Sequence, residues 1–356
     1  MKRVTLLFAS LMTCLSLTLG AGVANAEEKT QFKLAWSIYV GWMPWGWAED
    51  QGIIDKWADK YGIEIDVVQF NDYIESINQY TAGGFDAVTA TNMDVLAIPS
   101  VGGVDTTALI VGDFSNGNDA IILKDNETLD ALAGQNVNLV ELSVSHYLLA
   151  RALETVGKSE KDLTVVNTSD ADMIAAFQSE DVTAVATWNP LVAEILAMPG
   201  AHKVFDSSDI PGEIIDLTAV NTQTLSDNPA FGKALAGAWY ETMAIMASDT
   251  PEGAEARAAM GAASGTDLAG YDFQLASTQM FYAPADAVAF TTSPDISTTM
   301  DAVRTFLFDR GLLGEGAPSV DVVGIAFPDG TVLGDKGNVK MRFNSEYMSM
   351  AADGSL

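Results

Sequence analysis

The chain of 356 residues carries 48 Asp and Glu residues against 18 Lys and Arg residues, which gives a formal net charge of -30 at pH 7. A surface this acidic repels nucleic acid and anionic lipid, and it therefore argues against a function on either partner. The charge agrees with a cationic ligand, although an acidic surface that keeps a protein soluble in a salty habitat would explain it equally well.

The first 26 residues have the pattern of a secretory signal peptide. Met1-Lys2-Arg3 is a basic head, Val4 to Val23 is apolar, and Ala24-Asn25-Ala26 offers a small-x-small cleavage site. We therefore predict export to the periplasm with cleavage after Ala26. The one cysteine, Cys14, lies inside this segment, so no disulfide is expected in the exported chain. Its length of about 330 residues favours two domains.

Residues 36–57 hold five of the seven tryptophans. Because Gly41, Pro44 and Gly46 interrupt this segment, it predicts a strand over 32–36, a loop, and a helix that starts near Pro44 and ends near Gly62. Trp47 and Trp57 are expected to pack in the core. The aromatic residues at the strand end, in the loop and at the helix start are candidate ligand contacts, namely Trp36, Tyr39, Trp42 and Trp45.

Short strands alternate with helices after this stretch, which predicts an open α/β sheet. The predicted elements are strands over 63–69, 85–90 and 107–111 and a helix over 73–81. In such sheets, ligands bind beyond the carboxyl ends of the strands. The turn Asn92-Met93-Asp94 should therefore share a rim with the Trp36 loop, which makes Asn92 and Asp94 further candidates.

The turn-rich segment 112–119 predicts a crossing into a second α/β lobe, and the extended segment 217–222 predicts the return. The resulting division is a signal peptide (1–26), a first lobe (27–118 and 222–356) and a second lobe (119–221). We expect 113–119 and 217–221 to act as hinges. From 228 onward the pattern is helical, with segments 229–247, 252–263, 266–281 and 295–312.

Several segments, in this order, resemble the periplasmic substrate-binding proteins of the nitrate/taurine/sulfonate ABC-importer class. They are the tryptophan-rich stretch, the strand Ala87-Val88-Thr89 with its Asn92-Met93-Asp94 turn, the helix start Ser143-Val144-Ser145-His146-Tyr147, and the segment 184–190. Three longer segments are similar to the branch associated with urea-carboxylase gene regions, which is linked to urea or guanidine: WSIYVGWMPWGWAEDQGIIDKWADKYGIEI, NQYTAGGFDAVTATNMD and ALIVGDFSNGNDAIIL.

This resemblance implies a type II periplasmic-binding-protein fold of the α/β class. Two lobes would be joined by two hinge crossings, with the ligand in the cleft between them. It also implies a monomeric receptor that delivers a small solute to the membrane permease of an ABC importer.

The resemblance places a carboxylate where the wider class contacts anions. Anion-binding members tend to have small Gly, Ser or Thr residues ahead of the second-lobe helix, whereas this chain has Val140-Glu141-Leu142-Ser143. Glu141 and Ser143 are therefore candidate contacts, together with Asp216 near the return crossing and Trp188, which in this class closes over the ligand. Carboxylates and indole faces suit guanidinium better than urea, whose oxygen needs a donor. A receptor for urea, or for another small amide or sulfonate, is the alternative.

No catalytic constellation, cofactor site or metal site is predicted. Two histidines and no cysteine outside the signal peptide leave no Cys-His pair and no thiolate zinc site. A thiamine-pyrimidine synthase-like enzyme is the alternative within the same superfamily, but its cysteine-rich motif is missing. An acidic cell-surface adhesion domain is a third possibility, and it would bind no small solute.

Overall fold

The computed structural model describes residues 29–314 and 316–356. The predicted signal peptide, 1–26, lies outside these ranges. Within them, no helix combines the length and the apolarity that crossing a membrane requires.

The strands of the described residues are numbered in chain order. They are β1 (Gln31–Ser37), β2 (Glu64–Phe70), β3 (Ala87–Thr91), β4 (Thr106–Ser115), β5 (Ala120–Lys124), β6 (Asn136–Leu139), β7 (Thr164–Asn167), β8 (Ala184–Thr187), β9 (Ala201–Asp206), β10 (Ile215–Asn221), β11 (Thr278–Met280), β12 (Gly324–Ala326), β13 (Val332–Leu333) and β14 (Val339–Phe343).

The α-helices of the same ranges surround these strands. They are α1 (Met43–Asp50), α2 (Ile53–Tyr61), α3 (Tyr73–Thr81), α4 (Asn92–Val95), α5 (Val144–Thr155), α6 (Asp170–Gln178), α7 (Leu191–Leu196), α8 (Thr222–Asp227), α9 (Pro229–Met246), α10 (Pro251–Ala263), α11 (Leu268–Leu275), α12 (Pro284–Thr291), α13 (Asp295–Asp309) and α14 (Glu346–Asp353).

Two β-sheets organise the described residues into two lobes. The larger sheet has the order β13-β12-β14-β4-β10-β3-β1-β2, and β11 also pairs with β4. The smaller sheet has the order β7-β6-β8-β5-β9. β4 reads TTALIVGDFS and is buried along nearly its whole length, as expected for a central strand that is covered on both faces. The predicted α/β class with two lobes is therefore confirmed.

The first predicted helix is in fact two helices. Gly52 has a φ of 69°, a left-handed conformation that favours glycine, and it separates α1 from α2. Trp47 and Trp57 pack against the core as predicted, but both are only half-buried. The Trp57 indole N–H donates to Glu241 Oε2 on α9 at 2.7 Å.

The predicted return crossing is also wrong. β10 lies inside the larger sheet, where it pairs antiparallel with both β3 and β4. Because both edges of β10 are hydrogen-bonded, residues 217–221 form a strand of the first lobe, which the predicted second-lobe boundary at 221 includes. The chain passes between the sheets at 116–119 and at 207–214.

A hydroxyl contact joins these two crossings. Ser115 Oγ lies 2.6 Å from Ser207 Oγ, and the Gly117 N–H donates to the same Ser207 oxygen at 2.7 Å. The segment 113–119, which was predicted as a hinge, is only partly a loop, because β4 continues to Ser115.

The C-terminal third differs from its prediction in several places, and α12 has no counterpart among the predicted segments. The segment predicted as one helix over 266–281 forms α11 and then the short strand β11. The tail, for which the sequence gives little signal, adds β12, β13 and β14 to the larger sheet, with β14 parallel to β4. These strands are short and weakly patterned, so their pairing partners rather than local periodicity determine them.

A close contact in α1 gives a stability prediction. A Cβ built on Gly46 would lie 2.4 Å from Cζ2 of the buried Trp36. Gly46→Ala should therefore lower the free energy of unfolding by about 1–3 kcal/mol through overpacking, although alanine inside a helix normally raises it by about 0.5–1 kcal/mol. Urea unfolding measures the change.

In a Trp36→Phe background the same substitution should cost less, because the shorter ring leaves room for the methyl group. A Gly46→Ala protein more stable than the parent would contradict this packing.

Candidate functional site

A small cavity lies between the two lobes, and its empty space of about 250 Å³ includes space that is open to solvent. Even this upper limit is below the roughly 300–1,000 Å³ of clefts that hold drug-sized ligands, so only a smaller solute could occupy it. Its walls are the side chains of Tyr39, Trp42, Tyr73, Thr91 and Asp216 from the larger-sheet lobe, Val144 and Trp188 from the smaller-sheet lobe, and Asp119 from the first crossing.

The strand ends explain why these side chains meet. Tyr39 and Trp42 lie between β1 and α1, in a turn where the Trp42 N–H donates to the Tyr39 carbonyl at 2.9 Å. Thr91 ends β3, and Trp188 directly follows β8. The carboxyl ends of these strands face the cleft from opposite lobes, which is the position where open α/β sheets bind ligands.

Four aromatic rings form a continuous wall. The ring centroids of Tyr39 and Trp42 are 4.9 Å apart, those of Trp42 and Tyr73 are 5.6 Å apart, and those of Tyr73 and Trp188 are 5.6 Å apart. The last of these contacts spans the cleft between the lobes. The faces of such rings can attract a planar cation.

Four buried carboxylates lie in and behind this wall: Asp94, Asp113, Asp119 and Asp216, each no more than 3% exposed. Among the described residues, none of the four has a Lys, Arg or His nitrogen within 4.0 Å. Buried charges are ordinarily paired, so this cluster lacks the partner that its burial requires.

Asp113 and Asp216 are direct cross-strand partners on β4 and β10. Like charges at such positions repel each other. The Tyr39 hydroxyl donates to Asp113 Oδ1 at 2.8 Å. Burial raises the pKa of both carboxyls, and the neighbouring charges of Asp113 and Asp119 raise that of Asp216 further. Without a cation, the pair therefore retains a proton at a pH where an exposed aspartate is ionised.

Burial also perturbs the pKa values of Asp119 and Asp94. Burial raises the pKa of Asp119 to about 7, while the Ser115 hydroxyl opposes the shift. Burial raises the pKa of Asp94 to about 6, and hydrogen bonds from Tyr73, Thr91 and the Val144 backbone oppose it. The Tyr73 hydroxyl donates to Asp94 Oδ2 at 2.7 Å and the Thr91 hydroxyl donates to it at 2.9 Å.

Four of the residues proposed from the sequence line the cavity: Tyr39, Trp42, Trp188 and Asp216. Asp94 lies behind the wall, bonded to Tyr73. Trp36 packs against Gly46 in the core, and Trp45 packs against Trp239 of α9 with ring centroids 5.1 Å apart. The structure therefore places Trp36 and Trp45 away from this cavity, because their side chains turn into the larger-sheet lobe.

Three polar candidates also lie elsewhere. The Asn92 amide donates to the Glu213 carbonyl at 3.1 Å and accepts from the Ile215 N–H at 3.1 Å, so it fixes the second crossing. Ser143 caps α5. The Glu141 side chain is exposed and lies outside the residues that line the cavity. Its position ahead of a helix in the sequence does not bring Glu141 into the cleft, so Glu141 is not part of the candidate site.

Sequence reasoning missed Tyr73, Thr91, Asp113, Asp119 and Val144 as site residues. A charged residue near the end of the apolar run ALIVGDF is a detectable signal for a buried carboxylate at Asp113. Asp119 stands directly before the apolar run of β5. Tyr73 opens a predicted helix, and nothing in the local pattern indicates that its hydroxyl faces inward.

Solved structures of periplasmic binding proteins share this fold. The alkanesulfonate-binding protein SsuA of Xanthomonas axonopodis pv. citri, bound to MOPS, is 17% identical, with a TM-score of 0.65 over 81% of this chain and 96% of its own. The nitrate-binding protein NrtA of Synechocystis PCC 6803 is 14% identical, with a TM-score of 0.57 over 92% of this chain and 99% of its own. These similarities confirm the two-lobed periplasmic-binding-protein fold.

A curated relative matches in sequence over a shorter range. It is an Escherichia coli (strain K12) protein named among the aliphatic sulfonates-binding proteins, 34% identical over 84 residues. The match covers 24% of this chain, and the chain spans only 26% of that relative. The named relatives are binding proteins and none is an enzyme, in agreement with the sequence-based prediction.

A family model extends across both lobes. The model described as the NMT1-like family matches residues 25–262, which is more than half of the chain. Its range includes β1 to β10 and therefore every residue that lines the cavity. The protein belongs to the NMT1-like family.

Proposed function

We propose that this protein is the exported, monomeric solute receptor of an ABC importer, and that its solute is a small planar cation, with guanidinium favoured over urea. The observation that carries the proposal is the group of four buried carboxylates around a small aromatic cavity, without a basic partner among the described residues. The resemblance to the urea-carboxylase-associated branch supports the same class of nitrogen-rich solute.

The charge of the cavity decides between solute classes. An anionic solute would meet like charge in this desolvated site, and a neutral solute would leave the carboxyl groups protonated, because neither brings the counter-charge that their ionisation requires. A guanidinium ion supplies that charge and offers paired N–H donors that match the two oxygens of a carboxylate. The ring faces of Trp42 and Trp188 add cation–π attraction of about 0.5–2 kcal/mol per contact.

One observation favours urea as the second candidate. The indole N–H of Trp42 is buried and has no hydrogen-bond partner within residues 29–314 and 316–356, and it is a donor that can serve the urea oxygen. A urea complex would keep the Asp113 and Asp216 pair protonated, because urea brings no charge. Guanidinium and urea therefore differ in whether their binding changes the protonation of Asp113 and Asp216, and that difference can be measured.

We predict that guanidinium binds more tightly than urea and that its binding depends on Asp216. Asp216→Asn should weaken guanidinium binding by about 30-fold or more, because loss of one member of a buried charge pair costs about 2–5 kcal/mol. Glu141→Gln is the matched control, and it should leave the affinity unchanged because Glu141 is exposed. Isothermal titration calorimetry of both solutes measures these effects. Urea binding as tight as that of guanidinium would overturn the preference.

Guanidinium binding should also release a proton. The cation favours ionised carboxylates, so it lowers pKa values that burial raises in the empty cavity. Affinity should therefore increase as the pH rises through about 7, the pKa of Asp119, by at most about tenfold per pH unit for one released proton. Titrations in buffers with different ionisation enthalpies count the protons. Tight binding without proton release would contradict the description of the empty cavity, and urea should release none.

A further inference from the structure

The side chain of Asn118 connects the first crossing to both lobes. It is fully buried, and it directly precedes Asp119, which lines the cavity. Its carboxamide oxygen accepts from the Asn189 N–H at 3.0 Å, in the turn between β8 and α7. Its carboxamide nitrogen donates to Thr278 Oγ1 at 2.8 Å, on β11 of the larger sheet. One side chain thus bonds the smaller-sheet lobe to the larger-sheet lobe where the chain passes between them.

A second carboxamide makes a parallel link. Asn189 Nδ2 donates to Ser277 Oγ at 3.2 Å, and Ser277 directly precedes β11. The Ser277 hydroxyl donates its own proton to the Gln274 carbonyl at 2.6 Å, so its oxygen remains available as an acceptor. Asn189 Oδ1 accepts from the Ala193 N–H of α7 at 3.0 Å. Both the backbone and the side chain of Asn189 are therefore held by hydrogen bonds.

These bonds affect the cleft because Asn189 directly follows Trp188. The Trp188 side chain lines the cavity from the smaller-sheet lobe, and its ring contacts that of Tyr73 in the larger-sheet lobe, with centroids 5.6 Å apart. A ring in this position limits the size of a solute only if it cannot withdraw. Withdrawal would pull Asn189 away from Asn118 and Ser277, and a buried polar group without a partner is costly.

We infer that Asn118 and Asn189 are positioning residues, which fix Trp188 over the cleft and so set the upper size limit of the solute. The inference deepens the proposed function, on which it rests for the charge of the solute. It assigns to the same cavity a preference for unsubstituted guanidinium over N-alkylguanidinium ions. An alkyl substituent leaves the positive charge in place, so the buried carboxylates attract both kinds of ion, and the space below Trp188 distinguishes them.

The test removes the acceptors on the larger-sheet side and leaves both asparagines in place. Ser277→Ala and Thr278→Val are combined, because both residues lie outside those that line the cavity. Thr242→Val is the matched control, since its hydroxyl is also buried but donates to the Ala238 carbonyl of its own helix at 2.8 Å. Guanidinium, methylguanidinium and ethylguanidinium are titrated by calorimetry into the parent and both variants. If the double variant does not fold, Thr278→Val alone replaces it.

The ratio of affinities for two cations is the readout, because a loss of stability alone does not change it. The parent should bind guanidinium at least about tenfold more tightly than ethylguanidinium, since methylene groups without space cost at least that much. In the double variant this ratio should fall by about threefold or more, as expected from the loss of one hydrogen bond of ordinary strength. Thr242→Val should lower the melting temperature and leave the ratio unchanged. An unchanged ratio in the double variant, or an equal fall in the control, would overturn the inference.

A measurement without solute separates this inference from the choice of guanidinium. The indole N–H resonance of Trp188 in an NMR spectrum is assigned by its loss in Trp188→Phe. It should shift or broaden in the double variant, whereas the resonance of Trp239, which is buried in the larger-sheet lobe, should not move. If guanidinium fails to bind the parent while the Trp188 resonance changes in this way, the proposed solute is wrong and the positioning of Trp188 stands. A Trp188 resonance that is the same in both proteins would refute the positioning for any solute.

Discussion

The desolvation of carboxylates is the constraint on which this binding cleft depends. Asp113 and Asp216 are placed opposite each other by the register of β4 and β10, and the rings of Tyr39 and Trp42 exclude water on the cleft side. An isolated charge in such surroundings is unstable, so the empty cavity keeps protons that a cation can replace. The register of the larger sheet therefore places two carboxyl groups where they cannot both ionise without a counter-charge.

The same carboxylates connect charge to geometry. Asp113 holds the Tyr39 hydroxyl, and Asp94 holds that of Tyr73. The Tyr73 ring in turn contacts Trp188 from the other lobe. A hydrogen bond to an ionised acceptor is about twice as strong as a neutral one, so each ring is oriented firmly as long as its aspartate is charged. The orientation of the Tyr39 and Tyr73 rings thus depends on the charge of the aspartates that bind their hydroxyl groups.

The sequence predicts those site residues whose position follows from a strand end. Tyr39 and Trp42 belong to the loop predicted after the strand over 32–36, Trp188 directly follows β8, and all three line the cleft. Trp36 and Trp45 lie in the same stretch, but a local pattern does not show which way each ring turns, and both pack inside the larger-sheet lobe. Glu141 shows the same limit, because its place ahead of α5 in the sequence predicts a contact that its exposed side chain does not make. The partners of β10 are equally hidden, since an extended segment does not reveal which strands it will pair with.

The pairing of β4 with β10 has a topological consequence for the smaller lobe. Phe114 is paired with Ile215, and the Ser115 N–H donates to the Ile214 carbonyl at 3.0 Å, so the chain leaves and re-enters the larger sheet at adjacent points. The smaller lobe is therefore an insertion into a single β-hairpin. The inserted lobe therefore contributes Val144 and Trp188 to the cleft without interrupting the strand pairing that places Asp113 opposite Asp216.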